Sequence, residues 1–271
     1  MAKTSGRSKP ITALAVGAHP DDIEFMMAGT LILLRQAGVS IHMWNLANGN
    51  CGTATHSRRD IIRLRGEEAR HSADLVDAVL HPPLVDDIMI YFEPSLTARV
   101  AAVVRKIKPT ILLIPSPGDY MEDHQNTCRL LVTAAFVRGM SGFATTPPVA
   151  PWNGDVVLYH ALPYGLRDGL RQLARPGQYV NIAPVLSRKR EMLAQHRTQK
   201  EWLDVSQGVD AYLTAMEDMC RQVGTLSGKF ACAEGWRRHS HLGFCPEGAD
   251  PLSDILGPAC TIDQQYERSL G

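Results

Sequence analysis

No stretch of this 271-residue chain approaches the ~20 consecutive apolar residues that a bilayer-spanning helix needs. The first ten residues, Met1 to Pro10, are polar and basic and lack the apolar core of a secretory leader. The six cysteines contain no Cys-x-x-Cys pair, and in a chain of this size they read as mostly reduced thiols of a cytoplasmic protein. There is no excess of either charge, with 28 basic against 28 acidic residues, so nothing favours electrostatic capture of nucleic acid. No internal repeat and no low-complexity segment interrupts the chain. No G-x-G-x-x-G follows the first apolar run, which argues against a dinucleotide site.

What is present is an ordinary globular composition, 45% hydrophobic and 21% charged, on a chain long enough to bury a real core. Residues 1–271 read as one domain, with a core over about 11–200 and a segment 201–271 that covers or extends the site. A buried strand spans 11–18, and its apolar run stops abruptly at Gly17-Ala-His-Pro-Asp-Asp22. A helix over 25–37 follows, ended by Gly38, with Ala28 and Gly29 where it packs closely. A second strand over 39–47 leads into the polar loop Asn48-Gly-Asn-Cys-Gly-Thr53. The pattern then predicts a helix over 58–80, an irregular stretch over 81–93 with a short strand at its end, and a helix over 96–107. A buried strand over 110–115 opens into a second polar loop, Ser116 to Thr127, ahead of a helix over 127–138. A fourth strand over 155–162, helices over 187–198 and 209–223, and a loop-rich stretch over 224–271 complete the reading. Strand, polar loop, helix is the opening of an α/β domain, which places ligands at the carboxyl ends of its strands.

Both polar loops stand at such ends. His19, Asp22 and His124 can close a metal site, two imidazoles and a carboxylate with one position left for water. That set suits zinc and equally iron(II) or cobalt. Such a metal brings the pKa of its water to about 7. Asp21 adjoins Asp22 but points another way, as a general base for that water would. Asp123 is placed to orient a ligand imidazole. Blander readings stay open on these residues alone: Asp22 can simply cap the following helix, and His124 can be a capping or surface histidine. Cys128, four residues after His124, is either a further ligand or an inert buried thiol.

Taken together, Ala18-His-Pro-Asp-Asp22, the Asn-Gly loop, Arg65-x-x-Glu68-Ala69 and Asp123-His124 resemble the LmbE-like, or PIG-L, metal-dependent de-N-acetylases. In the second half the resemblance rests on Tyr179-Val-Asn-Ile182, Gln195-His-Arg197 and Ala233-Glu-Gly-Trp236. It implies a Rossmann-like, three-layer α/β fold with a mostly parallel sheet and a loop-rich C-terminal extension. It implies zinc, or another divalent metal such as iron(II), on His19, Asp22 and His124, and Asp21 as the base. Arg65 is a substrate contact by the same resemblance, with Asn48 and Arg237 as further candidates. The reaction implied is hydrolysis of an acetamide on an amino sugar or its conjugate, by an enzyme that forms homo-oligomers. A rival within the family is a hydratase of an unsaturated dicarboxylic acid, for which Arg65, Arg237 and Arg238 could bind the carboxylates. A third reading is a metal- or partner-binding protein without activity, which the complete set of His19, Asp21, Asp22 and His124 speaks against.

Two departures from the family pattern matter. Many members have a histidine three residues before the metal histidine, and here Met121 occupies that place. Its acid role passes to His239 or His241 in the donor-rich Trp236-Arg-Arg-His-Ser-His241, to His196, or to Asp21 acting twice, or else the substrate differs and needs no such donor; the C-terminal histidines are favoured. Gly49-Asn50 stands where many members have Gly-Glu, so no role for that glutamate is carried over.

Overall fold

The computed structural model describes residues 11–201 and 211–271. Five parallel strands come first in the sheet: β1 (Thr12–Gly17), β2 (Ser40–Asn45), β3 (Val79–His81), β4 (Ile111–Ile114) and β5 (Val157–Ala161). Three antiparallel strands extend it: β6 (Gln178–Asn181), β7 (Ala233–Arg238) and β8 (Cys260–Ile262). The spatial order is β3-β2-β1-β4-β5-β7-β6-β8. The first strand therefore sits between the second and the fourth, and the chain winds away from it in both directions. A crevice opens at such a reversal, outside the carboxyl ends of the two central strands.

Alternate residues of each strand face opposite sides. Ala13, Ala15, Ile41, Met43, Ile111 and Leu113 join one buried cluster, and Leu14, Val16, Trp44, Leu112 and Ile114 join the other. The first cluster is covered by α1 (Asp22–Met26), α2 (Ala28–Gln36), α3 (Arg58–Asp74), α6 (Leu186–Leu193) and α7 (Ala211–Ser227). The second is covered by α4 (Pro94–Ile107) and α5 (Glu122–Phe136). Short helices α8 (Pro251–Leu256) and α9 (Gln264–Ser269) flank the last strand. This is a three-layer α/β fold with a mostly parallel sheet. No helix among the described residues is long and apolar enough to cross a membrane.

Several expected boundaries move, each for a physical reason. The helix expected over 25–37 starts at Asp22 and breaks at Met27, whose φ of −133° is non-helical. The break exposes the amides of Gly29 and Thr30, and both donate to the Glu234 carboxylate at 2.7 Å. Gly29 is required there, because a Cβ would stand 2.5 Å from Ile182. The helix expected over 58–80 stops at Asp74; Asp77 turns the chain at φ 50°, and Val79–His81 becomes the edge strand instead. The helix expected from 127 begins at Glu122, so His124 lies in its first turn. Residues 224–271, expected as loops, hold two strands and two short helices, and Gln178–Asn181 is a strand that was not expected. These antiparallel strands carry polar residues, as in Ala-Glu-Gly-Trp-Arg-Arg, and lack the apolar run that betrays a buried parallel one. The helix expected over 209–223 runs from Ala211 to Ser227, its first two expected positions lying outside the described residues.

Candidate metal centre and active site

His19 follows β1 and His124 follows β4, so the crevice between these neighbours brings them together. The turn after β1 folds back tightly: a Cβ on Gly17 would lie 2.9 Å from the Asp22 Cβ. One oxygen of Asp22 accepts the amides of Ala18 and His19 at 2.8 and 2.9 Å. The other faces His124 Nε2 at 3.5 Å. Donor atoms of His19, Asp22 and His124 all lie within 4.8 Å of one another.

Each imidazole commits its other nitrogen to a carboxylate. His19 Nε2 is 2.9 Å from Asp123, which also accepts the Ile88 amide at 2.7 Å. His124 Nδ1 is 3.0 Å from Asp119. The remaining nitrogens, Nδ1 of His19 and Nε2 of His124, turn toward Asp22. Imidazoles oriented by carboxylates in this way are the usual surroundings of a protein-bound metal.

The electrostatics fit a cation. Burial works against a charged His124, yet Asp22 and Asp119 push its pKa up to about 11. Burial is likewise outweighed at His19 by Asp123 and Asp22, and its pKa is raised. Burial opposes ionisation of Asp22, but His124 and His19 hold its carboxyl well below the usual range. The cluster thus demands positive charge, which protons on the imidazoles provide. A divalent cation on these donors supplies the same charge and releases those protons.

Asp21 is not one of the three converging donors but lines the same pocket beside them. Its φ of 109° is left-handed, a strained setting for a non-glycine residue. Burial raises its carboxyl pKa, with Arg65 opposing. Tyr212, from α7, donates its hydroxyl to Asp21 at 2.6 Å. Arg65 lies 3.8 Å from the other oxygen and donates to the Pro20 carbonyl at 2.6 Å. Arg65 in turn rests on two glycines, since a Cβ on Gly49 or Gly52 would come within 2.6 or 2.1 Å of its side chain. It lines the pocket and also ties the His19 loop to the 49–52 loop.

Other expected site residues lie elsewhere. Asn48 donates to Asp86 at 2.6 Å and accepts the Asn50 amide, holding its loop rather than facing the pocket. Arg237 donates to the Arg175 carbonyl at 2.6 Å, outside the pocket. The expectation of a C-terminal acid is corrected by strand direction. The β7 strand runs antiparallel to β5, with Arg238 opposite Tyr159, and the His239 amide donates to Leu158. The chain past 238 therefore descends toward the amino ends of the parallel strands, away from the crevice. His239 faces His160 at 2.9 Å, and neither it nor His241 lines the pocket. His196 is fully buried beside Glu24, 3.2 Å away, behind the site. Cys128 is buried against His160, with Sγ 3.4 Å from Nδ1, and burial pushes its thiol up to about 12. It stands apart from the metal donors. Two residues were missed: Asp119, for which no spacing rule existed, and Tyr212, which reads as core in a helical pattern.

The pocket above the cluster holds about 820 Å³ and is lined by His19, Asp21, Asp22 and His124 at its polar end. The family model described as PIG-L, GlcNAc-PI de-N-acetylase, matches residues 14–136. That span contains both metal loops and Arg65. That span is therefore similar to a PIG-L family domain. The chain is 24% identical over 193 residues to the diacetylchitobiose deacetylase of Thermococcus kodakarensis, covering 69% of each chain. Its fold superposes on the N,N'-diacetylchitobiose deacetylase of Pyrococcus horikoshii with a TM-score of 0.72 at 20% identity, over 85% of this chain and 84% of that one. It also superposes on the 4-carboxy-2-hydroxymuconate hydratase of Pseudomonas putida with a TM-score of 0.69 at 21% identity, over 84% and 95%. This fold alone therefore does not separate the two chemistries, and the contents of the pocket must.

Proposed function

We propose that this protein is a hydrolase that removes the acetyl group from an N-acetylated amino sugar or its conjugate, with zinc held by His19 Nδ1, Asp22 and His124 Nε2. The observation that carries this reading is the convergence of those three donors beside a separate, buried carboxylate at the end of an open pocket. A divalent cation in that seat polarises an amide carbonyl and makes water acidic near neutral pH. Asp21 accepts the proton of the attacking water. Tyr212 and Arg65 fix its carboxylate, while Asp123 and Asp119 fix the two imidazoles. With Met121 at the place of the family histidine, Asp21 is the group positioned to return the proton to the leaving amine. Water adds to the carbonyl, the carbon–nitrogen bond breaks, and acetate and a free amine leave.

The hydratase reading finds less support in the pocket. Asp21, Asp22, Asp87, Asp119 and Asp168 line it, against Arg65 and Arg167. The Arg65 guanidinium is held by the Pro20 and Gly49 carbonyls and lies beside Asp21. Beyond a cation on the metal donors, a dicarboxylate would find only Arg65 and Arg167 against these five aspartates.

Zinc-loaded protein is expected to release acetate from one or more N-acetylglucosamine conjugates, and metal-stripped protein to release none. Asp21→Asn should lower the rate by about 10²–10⁴-fold while zinc stays at one per chain. Absence of acetate across the panel, with zinc bound, would overturn the reading.

A further inference from the structure

The pocket has two characters. Carboxylates and imidazoles form its floor, but its side wall is aromatic. Phe25 meets Tyr164 and Tyr212 edge-on, with ring centroids 5.3 and 5.0 Å apart. Tyr120 stands 6.2 Å from Tyr164 and packs on the His124 ring at 5.7 Å. The run leads from the partner of Asp21 to the mouth. There Ile88, Tyr120 and Tyr164 line the pocket, yet they are 55%, 56% and 40% exposed. Met89, next to Ile88, is exposed too. So is Leu170, in a turn whose Gly169 approaches the Tyr120 backbone. Apolar side chains exposed singly need no account, but a group of them around one pocket does.

Ile88 adds an independent observation. Its φ is 64°, in the left-handed region, where a β-branched residue is an outlier. Its amide donates to Asp123, the carboxylate that holds His19. Glycine or asparagine could make the same bond at lower conformational cost. Isoleucine differs from them in offering an apolar side chain, and that side chain stands at the mouth.

We infer that this mouth is a subsite for an apolar group, alkyl or aryl, carried on the amine side of the substrate. On the reaction proposed above, on which this inference rests, the substrate is an N-acetylated amino sugar bearing a hydrophobic aglycone. The acetyl carbonyl must face the metal donors, and only a methyl lies beyond it on the acyl side. The rest of the molecule therefore extends along the aromatic wall. There its apolar surface and that of Ile88, Tyr120 and Tyr164 leave water together.

The test compares methyl and octyl glycosides of N-acetylglucosamine, the latter below its micelle concentration, with zinc-loaded wild type, Ile88→Ser and Tyr164→Ser. In wild type, kcat/KM for the octyl compound should exceed that for the methyl by about tenfold or more. That ratio should fall toward one in each variant. The ratio is internal to each protein, so partial loss of folded enzyme leaves it unchanged. A wild-type ratio near one, or a ratio unmoved by both substitutions, overturns the subsite. Faster hydrolysis of N-octanoylglucosamine than of the octyl acetamide overturns the placement on the amine side. Dissociation of an oligomer by either variant, seen by light scattering, would make the mouth an interface between copies and overturn it as well. If none of the compounds releases acetate, calorimetry with the methyl and octyl glycosides of glucosamine separates the two readings. About tenfold tighter octyl binding, lost in Ile88→Ser, keeps the subsite and removes the reaction; equal binding removes the subsite.

Discussion

Two buried carboxylates in this molecule take opposite courses. Glu234 accepts the amides of Gly29 and Thr30 and the ammonium of Lys189, the last at 2.6 Å. Its charge is answered wholly by the chain, inside a closed wall. Asp22 also accepts two amides, those of Ala18 and His19, but its second oxygen faces His124 across a pocket open to solution. Among the described residues no lysine or arginine is paired with it as Lys189 is with Glu234; two imidazoles with backing carboxylates are. Where the chain supplies its own cation, the cluster is architecture. Where it supplies only donors, the cluster is built to take a cation from outside.

The contrast can be broken from either side. His124→Ala removes a donor and should abolish zinc retention after dialysis, measured by metal analysis, and turnover with it; a full equivalent of retained zinc would move the third ligand elsewhere. Glu234→Gln strands Lys189 and weakens the start of α2. It should cost about 3–5 kcal/mol of stability in denaturant unfolding without changing the metal equivalents held by the folded fraction. Adding Lys189→Met should return part of that loss, because an apolar pair removes the stranded charge.

Smaller changes sharpen the comparison. Tyr212→Phe deletes the hydroxyl that fixes Asp21 but leaves the ring packed on Phe25. We expect kcat to fall about tenfold, or about 1.4 kcal/mol, with KM and zinc content unchanged; a rise in KM alone would assign the hydroxyl to substrate binding. The least effect should come from Glu24 and His196, a third buried pair. Burial disfavours both charges, yet each holds the other, so the Glu24 carboxyl lies below its ordinary 4.5 and the His196 imidazole above its ordinary 6.5. The carboxylate's contribution is complete above pH 4.5 and disappears as pH falls through its lowered value. The imidazolium's is complete below pH 6.5 and disappears as pH rises through its raised value. Metal-free protein should therefore draw most from this pair between these pH values, and Glu24→Gln should flatten that part of a melting-temperature profile. An unchanged profile would show the pair to be neutral at every pH.

Four of the five parallel strands were legible in the sequence, the short edge strand Val79–His81 being read as helix, and of the antiparallel strands none was. Ile11 to Val16 and Thr110 to Pro115 announce themselves, because strands buried on both faces are continuous in apolar residues. The loops that follow them hold the metal donors, so His19, Asp22 and His124 could be found along with their strands. The Glu234 strand is half polar and reads as a loop. Its direction, which sends His239 away from the crevice, is a property of pairing with β5 and leaves no mark on residues 237–241. Asp119 and Tyr212 escaped for a related reason. What they do depends on where a carboxylate or a hydroxyl ends up in space, five or 191 residues from its partner.

The bond between Glu234 and the start of α2 spans 205 residues. During synthesis the first strands and helices emerge long before the carboxylate that completes them. Until the β7 segment leaves the ribosome, the amides of Gly29 and Thr30 face an unfilled wall, and Lys189 has no counter-charge. The early half of the chain can collapse but cannot close. Contacts this distant in sequence are late and slow to form, so the nascent protein carries an exposed, unfinished flank for most of its translation.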